Sequence, residues 1–242
     1  MKRRFLAPEV IQTSFMDCGP ASLKSLLEGF GISASYGRLR EACQTDVDGT
    51  SIDVLEDLAV RLGLDATQVM VPIDQLTIPE VDPFPAVLVT KTPNGAPHFV
   101  VAWRRVGQRI QVMDPTRGRI WMHATAVRTS AFVHRMAVPA AMFRGWAESE
   151  EFQGALAARF AQIDARAESA GLRETAARDP SWHTFAALDA ALRMVQSLVA
   201  SGAVPRGASA ASLVAALAGA SDVIPPIYWS ASPAEPSERG EE

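Results

Sequence analysis

The chain carries two cysteines, Cys18 and Cys43, in 242 residues. Two thiols build neither a disulfide framework nor a zinc site of their own, and they suit a reducing compartment. The four histidines, His98, His123, His134 and His183, include no pair at metal-ligand spacing, so neither metal nor cofactor is expected. The longest uncharged stretch towards the end, 207–221, falls short of the roughly 20 residues that span a bilayer. No Walker A motif is present, so ATP hydrolysis is not expected of these residues. Lys2-Arg3-Arg4 is followed by only Phe5-Leu6-Ala7 before Pro8-Glu9, too little apolar sequence for a signal peptide. A net charge of −4 gives no reason to expect a nucleic-acid partner.

What remains is a chain 48% hydrophobic and 21% charged, enough for one globular domain and an appendage. Residues 1–140 hold 15 basic and 14 acidic groups, and residues 141–242 hold 8 and 13, so the acidic excess belongs to the second part.

Cys18 precedes Gly19-Pro20 and an apolar stripe, Leu23, Leu26, Leu27 and Phe30, with Gly29 and Gly31 as stop signals. This predicts a helix over about 19–30 with Cys18 at its N-terminus, where unpaired N–H groups and the macrodipole favour an anion. Such a position lowers a thiol's pKa. Cys43 ends the pattern Tyr36, Leu39, Cys43 and is read as an ordinary buried cysteine.

A second constellation lies about 80 residues on. His98-Phe-Val-Val-Ala-Trp103 and Gln108-Arg-Ile-Gln-Val-Met113 read as strands of a hairpin. A turn centred near Val106 or Gly107 makes opposed residue numbers sum to about 212–213, which sets His98 opposite Asp114. Opposed residues share a face with Cβ atoms about 5 Å apart, as a base and its orienting carboxylate require. His123, His134 and His183 have no such partner and are read as structural.

Gln12-x5-Cys18-Gly19-Pro20-Ala21, then Gly49-Thr50-Ser51, His98-Phe-Val-Val and Asp114-Pro115-Thr-Arg-Gly118, resembles the double-glycine leader peptidase family over roughly residues 8–140. These are bacteriocin-processing cysteine peptidases, often the N-terminal domain of peptidase-containing ABC transporters. The resemblance implies that Cys18 is the nucleophile, His98 the general base and acid, Asp114 the orienter and Gln12 the oxyanion donor. It implies a precursor peptide with a Gly-Gly leader as substrate. It also implies an ABC transporter as partner, in cis or in trans, and a cytoplasmic location at the inner face of the plasma membrane. Two other readings stand beside it: a leader-binding module that does not cut, and a different papain-like cysteine amide hydrolase.

The expected fold is α+β and papain-like, N-terminal helices packed on an antiparallel sheet. Thr50-Ser51-Ile52-Asp53 caps a helix ended by Gly63. Strands are expected at about 67–71, 86–90, 99–103, 109–113, 119–122 and 133–138. The expected domains are a peptidase domain at 1–142, a helical appendage at 143–222, and a Pro/Ser/Glu-rich linker or tail at 223–242. Within the appendage, helices are predicted from the stripe Phe152, Leu156, Phe160, Ile163, from 181–202 and from 210–218. Such a bundle is read as packing, with a docking surface for a transporter or substrate as the functional alternative.

Overall fold

The computed structural model describes residues 3–44, 49–78 and 83–233. The chain forms two compact units, Met1–Thr77 with Asp82–His134, and Ile78–Val81 with Arg135–Glu242.

The first unit places helices α1 (Cys18–Gly29), α2 (Tyr36–Ala42) and α3 (Ile52–Arg61) before a four-stranded antiparallel sheet. The strands, β1 (Ala86–Lys91), β2 (Pro97–Val106), β3 (Arg109–Asp114) and β4 (Gly118–His123), lie in chain order, and α4 (Ala124–Ser130) follows. This is the expected α+β order, helices before an antiparallel sheet. The Ser51 hydroxyl accepts from Val54 N–H at 3.3 Å and starts α3 as predicted. Two predicted strands do not form. Residues 67–71 and 133–138 are β-prone in composition, but all are exposed and none joins the sheet. Propensity alone does not make a strand without a neighbour to pair with.

The two faces of the sheet are lined by alternate residues. Val100, Ala102, Ile110 and Val112 pack with Leu76, Phe84, Ala124 and Val127. Val101, Trp103 and Met113 pack with Ala7, Val10 and, from α1, Ala21 and Leu26. Leu23 and Leu27, also on α1, pack with Leu39, Cys43, Leu55 and Leu58.

An extended N-terminal segment, which has no periodicity to betray it, is stitched to both layers. Arg4 N–H donates to Gly29 O, Ala7 N–H to the Gln111 side chain, and Ser25 Oγ to Pro8 O. Gln12 N–H then donates to Pro115 O at 2.9 Å, which fixes where this segment ends.

The β2–β3 hairpin departs from the predicted register. Its turn is Gly107-Gln108, so Val106 pairs with Arg109 and opposed numbers sum to 215 as far as Arg104 and Gln111. A bulge at Trp103 then changes the sum to 214 at Ala102 and Val112.

The second unit is helical: α5 (Ala140–Ala147), α6 (Glu150–Gln162), α7 (Arg166–Arg178), α8 (His183–Ala200) and α9 (Ala208–Gly219). Phe152, Leu156, Phe160, Leu188, Leu192 and Val214 form its core. Arg144 donates to the carbonyls of Ala177, Asp179 and Ser181, satisfying groups left open at the end of α7. The composition of residues 225–242 suggests a tail, yet Ile224 is buried and Tyr228 and Trp229 pack on this core. Trp229 Nε1 donates to Ile224 O and Ser230 Oγ to buried Asp189. Aromatic content outweighs the prolines there; residues 234–242 lie outside the described residues. No helix among the described residues is long and apolar enough to cross a membrane.

Gly29 offers a direct check on this packing. A Cβ there would lie 2.1 Å from Cη2 of the fully buried Trp103. Gly29→Ala is expected to destabilise the protein by about 1–3 kcal/mol through overpacking. Gly37→Ala, on exposed α2 with nothing within 4 Å, is expected to stabilise it by about 0.5–1 kcal/mol. Urea denaturation midpoints of the two variants should therefore move in opposite directions.

Candidate active site

Cys18 is the first residue of α1, as the sequence predicts. It is buried, and Gly19 beside it approaches Thr50 so closely that a Cβ would sit 2.9 Å from Thr50 Cβ. Glycine at this position lets the segment after α2 pass against the start of α1.

His98 and Asp114 occupy the same end of the sheet. Extended by one residue, the 214 register sets Val100 opposite Asp114, and His98, two residues along, shares its face. They meet as diagonal neighbours, not as the directly opposed pair expected from a sum of 212. The His98 Nε2 to Asp114 Oδ1 distance is 2.8 Å, and both side chains are largely buried.

Asp114 is itself braced. Its Oδ1 accepts from Thr116 N–H at 2.9 Å and from Thr116 Oγ1 at 2.8 Å, an Asx turn that continues to Gly118 at φ 83°. Thr116 was not among the expected site residues, although Asp-x-Thr ahead of a glycine is a signal for that turn. Arg117 Nε stands 3.9 Å from the other carboxylate oxygen.

His98 also acts on the Cys18 thiol, each shifting the titration of the other. With Nε2 engaged by Asp114, Nδ1 is the ring nitrogen left for the sulfur. The electrostatics follow from this chain of contacts. Burial pushes the Cys18 thiol up, but the His98 hydrogen bond, backbone groups of Phe99 and Gly19, and the imidazolium charge together bring it below the ordinary thiol value. Burial pushes His98 down, and Asp114 and Cys18 more than reverse this, raising it to about 9. Burial raises Asp114, and His98 and Thr116 bring it below the usual carboxylate range. The arrangement favours a thiolate–imidazolium pair near neutral pH, the form in which sulfur is nucleophilic.

Gln12 lies across the turn from Asp114, tied through Pro115 O. With Phe15, Pro115 and Thr116 it lines a shallow depression. Its Oε1 is buried without a hydrogen-bond partner among the described residues. The structure thus brings His98 to Asp114 and to the Cys18 thiol, and ties the Gln12 backbone to the residue after Asp114.

The remaining cysteine and histidines stand apart. Cys43 is 1% exposed in an aliphatic cluster, and burial pushes its thiol up to about 11. His123 accepts from Thr125 N–H and caps α4. His183 stacks near Trp182 and Trp229. No group of three or more ligating side chains among the described residues has metal-site geometry.

The sequence profile of the Peptidase C39 family matches residues 7–130, just over half of the chain. Among curated relatives, the chain is 29% identical over 111 residues to the lactococcin-G-processing and transport ATP-binding protein LagD of Lactococcus lactis subsp. lactis. That match covers 46% of this chain and 16% of LagD. It is 30% identical over 99 residues to the pediocin PA-1 transport/processing ATP-binding protein PedD of Pediococcus acidilactici, covering 41% of this chain and 14% of PedD. The chain therefore matches less than a fifth of the length of either relative. Among solved structures, a double glycine motif protease from an AMS/PCAT transporter, in complex with the leader peptide, is 22% identical with a TM-score of 0.47. That similarity covers 54% of this chain and 89% of the other.

The opposed thiol environments predict selective chemistry. Iodoacetamide at pH 7 should alkylate Cys18 in the folded protein and leave Cys43 intact, as read by peptide mass spectrometry. His98→Ala should slow alkylation of Cys18 by at least about tenfold, the effect of one unit in thiol pKa. It should also move the pH midpoint of alkylation upward, because the cation that holds the thiolate is gone. Equal labelling of both cysteines would contradict this assignment.

Proposed function

This chain belongs to the Peptidase C39 family, and we propose that it is an active cysteine endopeptidase that removes leader peptides after a Gly-Gly pair. The observation that supports the reading is the His98–Asp114 hydrogen bond beside a Cys18 thiol whose pKa is lowered while the imidazole's is raised. A module that merely bound leaders would have no use for that charge separation.

In this reading the Cys18 thiolate attacks the carbonyl carbon of the second glycine. The resulting oxyanion accepts hydrogen bonds from the Gln12 side-chain amide and the Cys18 backbone N–H. A preorganised donor of this type contributes about 2.7–4 kcal/mol to the transition state. As the C–N bond breaks, the His98 imidazolium gives its proton to the departing amine and the cargo peptide leaves. Neutral His98 then takes a proton from water, whose oxygen attacks the thioester. The C–S bond breaks, the leader departs as a carboxylate, and the thiolate–imidazolium pair is restored. Asp114 keeps the imidazole oriented throughout, with Nδ1 towards sulfur.

Glycine on the leader side of the scissile bond fits a cleft that admits backbone and excludes a Cβ. Recognition then comes from farther along the leader, as an amphipathic helix laying its apolar face on the enzyme. Remote binding energy of this kind positions the carbonyl, so a truncated substrate loses kcat as well as affinity. LagD and PedD are processing and transport proteins by name, which supports a cargo bound for export. The proposed partner is an ABC transporter, in cis or in trans, with cleavage at the cytoplasmic face.

The test compares a full leader substrate, its Gly-Gly→Ala-Ala variant and the isolated junction peptide. The variant should lose at least about 100-fold in kcat/KM, about 2.7 kcal/mol, and the junction peptide should lose kcat. Cys18→Ala should bind the leader without cutting it. Equal rates on all three substrates would point to a less selective cysteine hydrolase.

A further inference from the structure

We propose that Asp17 is a positioning residue for the oxyanion-binding side of this site, acting through Gln12 and the backbone N–H of Cys18. The proposal rests on the role given above to Gln12.

Asp17 immediately precedes Cys18, and its side chain is 1% exposed. A buried carboxylate is costly unless its oxygens are satisfied, and here both are. Thr13 Oγ1 donates to Oδ2 at 2.7 Å, and Arg40 Nε on α2 donates to Oδ1 at 3.0 Å. Burial pushes the Asp17 carboxyl up, but Thr13, Ser14 and the Arg40 guanidinium hold it below its ordinary value. None of these contacts reaches His98 or the sulfur.

Their consequence lies in the connectivity. Thr13 follows Gln12 and Asp17 precedes Cys18, so the Thr13–Asp17 bond closes a loop whose two ends carry the two proposed oxyanion donors. Inside the loop the Asp17 N–H donates to Ser14 O at 3.2 Å, and Thr13, Ser14 and Phe15 are exposed. Gln12 is neither helical nor in a strand. Its backbone is held by Pro115 on one side, and the Asp17 bracket supplies the hold on the other. Arg40 fixes that bracket to the body of the helical layer. A donor misplaced by about 1 Å costs on the order of 100-fold in rate, so anchoring this loop bears directly on turnover.

The experiment is a double-mutant cycle on the full chain with the leader substrate, Gln12→Ala against Asp17→Ala. Thr13→Ala and Asp17→Asn run beside it, and unfolding midpoint and Cys18 alkylation rate are measured for every variant. Gln12→Ala alone is expected to lower kcat on the order of 100-fold. Asp17→Ala is expected to lower kcat by about 10- to 100-fold while KM and the alkylation rate stay near wild type. Added to Gln12→Ala, it should cost little more. Asp17→Asn should recover part of the loss, because the amide still accepts one hydrogen bond and donates to the Thr13 hydroxyl. If Asp17→Ala does not fold, Thr13→Ala decides, since it cuts the same loop at an exposed position. Full additivity, an unchanged kcat, or a kcat loss that merely tracks alkylation or folded fraction would overturn the proposal. An unchanged kcat in Gln12→Ala would instead show that the reading of Gln12 itself is wrong, and the inference would fall with it.

Discussion

Trp103 sits where the register of β2 against β3 changes by one residue, and the position of His98 depends on that change. Successive residues of a strand point to opposite faces, so a one-residue slip exchanges the faces of everything beyond it. Were the sum of 215 continued to the strand end, Asp114 would stand opposite Val101 and His98 would point to the other side. The bulge makes the sum 214 and brings imidazole and carboxylate to the same face, 2.8 Å apart. The bulged residue is anchored by its size. Trp103 Nε1 donates to Arg4 O at 3.1 Å, its ring meets Phe30 edge-on at 5.8 Å, and Gly29 gives it room against α1. Bulges next to functional sites re-aim side chains in this way. The helix that presents Cys18 thus packs against the same residue that sets the face of His98.

The charges at the strand end are balanced against burial at each member. Burial alone would leave a neutral thiol, a neutral imidazole and a carboxyl of raised pKa. Each is drawn the other way by its neighbours, and the order of contacts decides the outcome. Asp114, braced by Thr116, acts on His98, and His98 acts on Cys18. Cys43 is the internal comparison. It is similarly buried, no charged neighbour among the described residues acts on it, and its thiol is raised to about 11. The difference between the two cysteines is one of partners.

Much of this was legible in the sequence. Apolar spacing and Gly-Pro placement located α1 and the position of Cys18, and Ser51 marked the start of α3. The pairing of His98 with Asp114 was also foreseen, on a register that was incorrect. The predicted sum of 212 assumed a regular hairpin one residue early, and no local signal distinguishes a bulged tryptophan from an ordinary strand residue. Residues 67–71 and 133–138 read as strands because composition records preference and not the presence of a neighbour. The N-terminal segment leading to Gln12, and the Thr13–Asp17–Arg40 bracket, were invisible for a related reason. The partners of the segment, and Arg40 in the bracket, are distant in sequence, and neither stretch has a periodic pattern. Of the helices of the second unit, α6, α8 and α9 were found, whereas α5 and α7 were not.

Asp114 and Cys18 together favour the cationic form of His98 at neutral pH. The direct measurement is an NMR titration of the His98 ring in the full chain and in Asp114→Asn and Cys18→Ala. A midpoint near 9 is expected in the unaltered protein, falling in both variants as each loses one of the two groups that stabilise the cation. A midpoint near the ordinary 6.5, unmoved by either substitution, would contradict it.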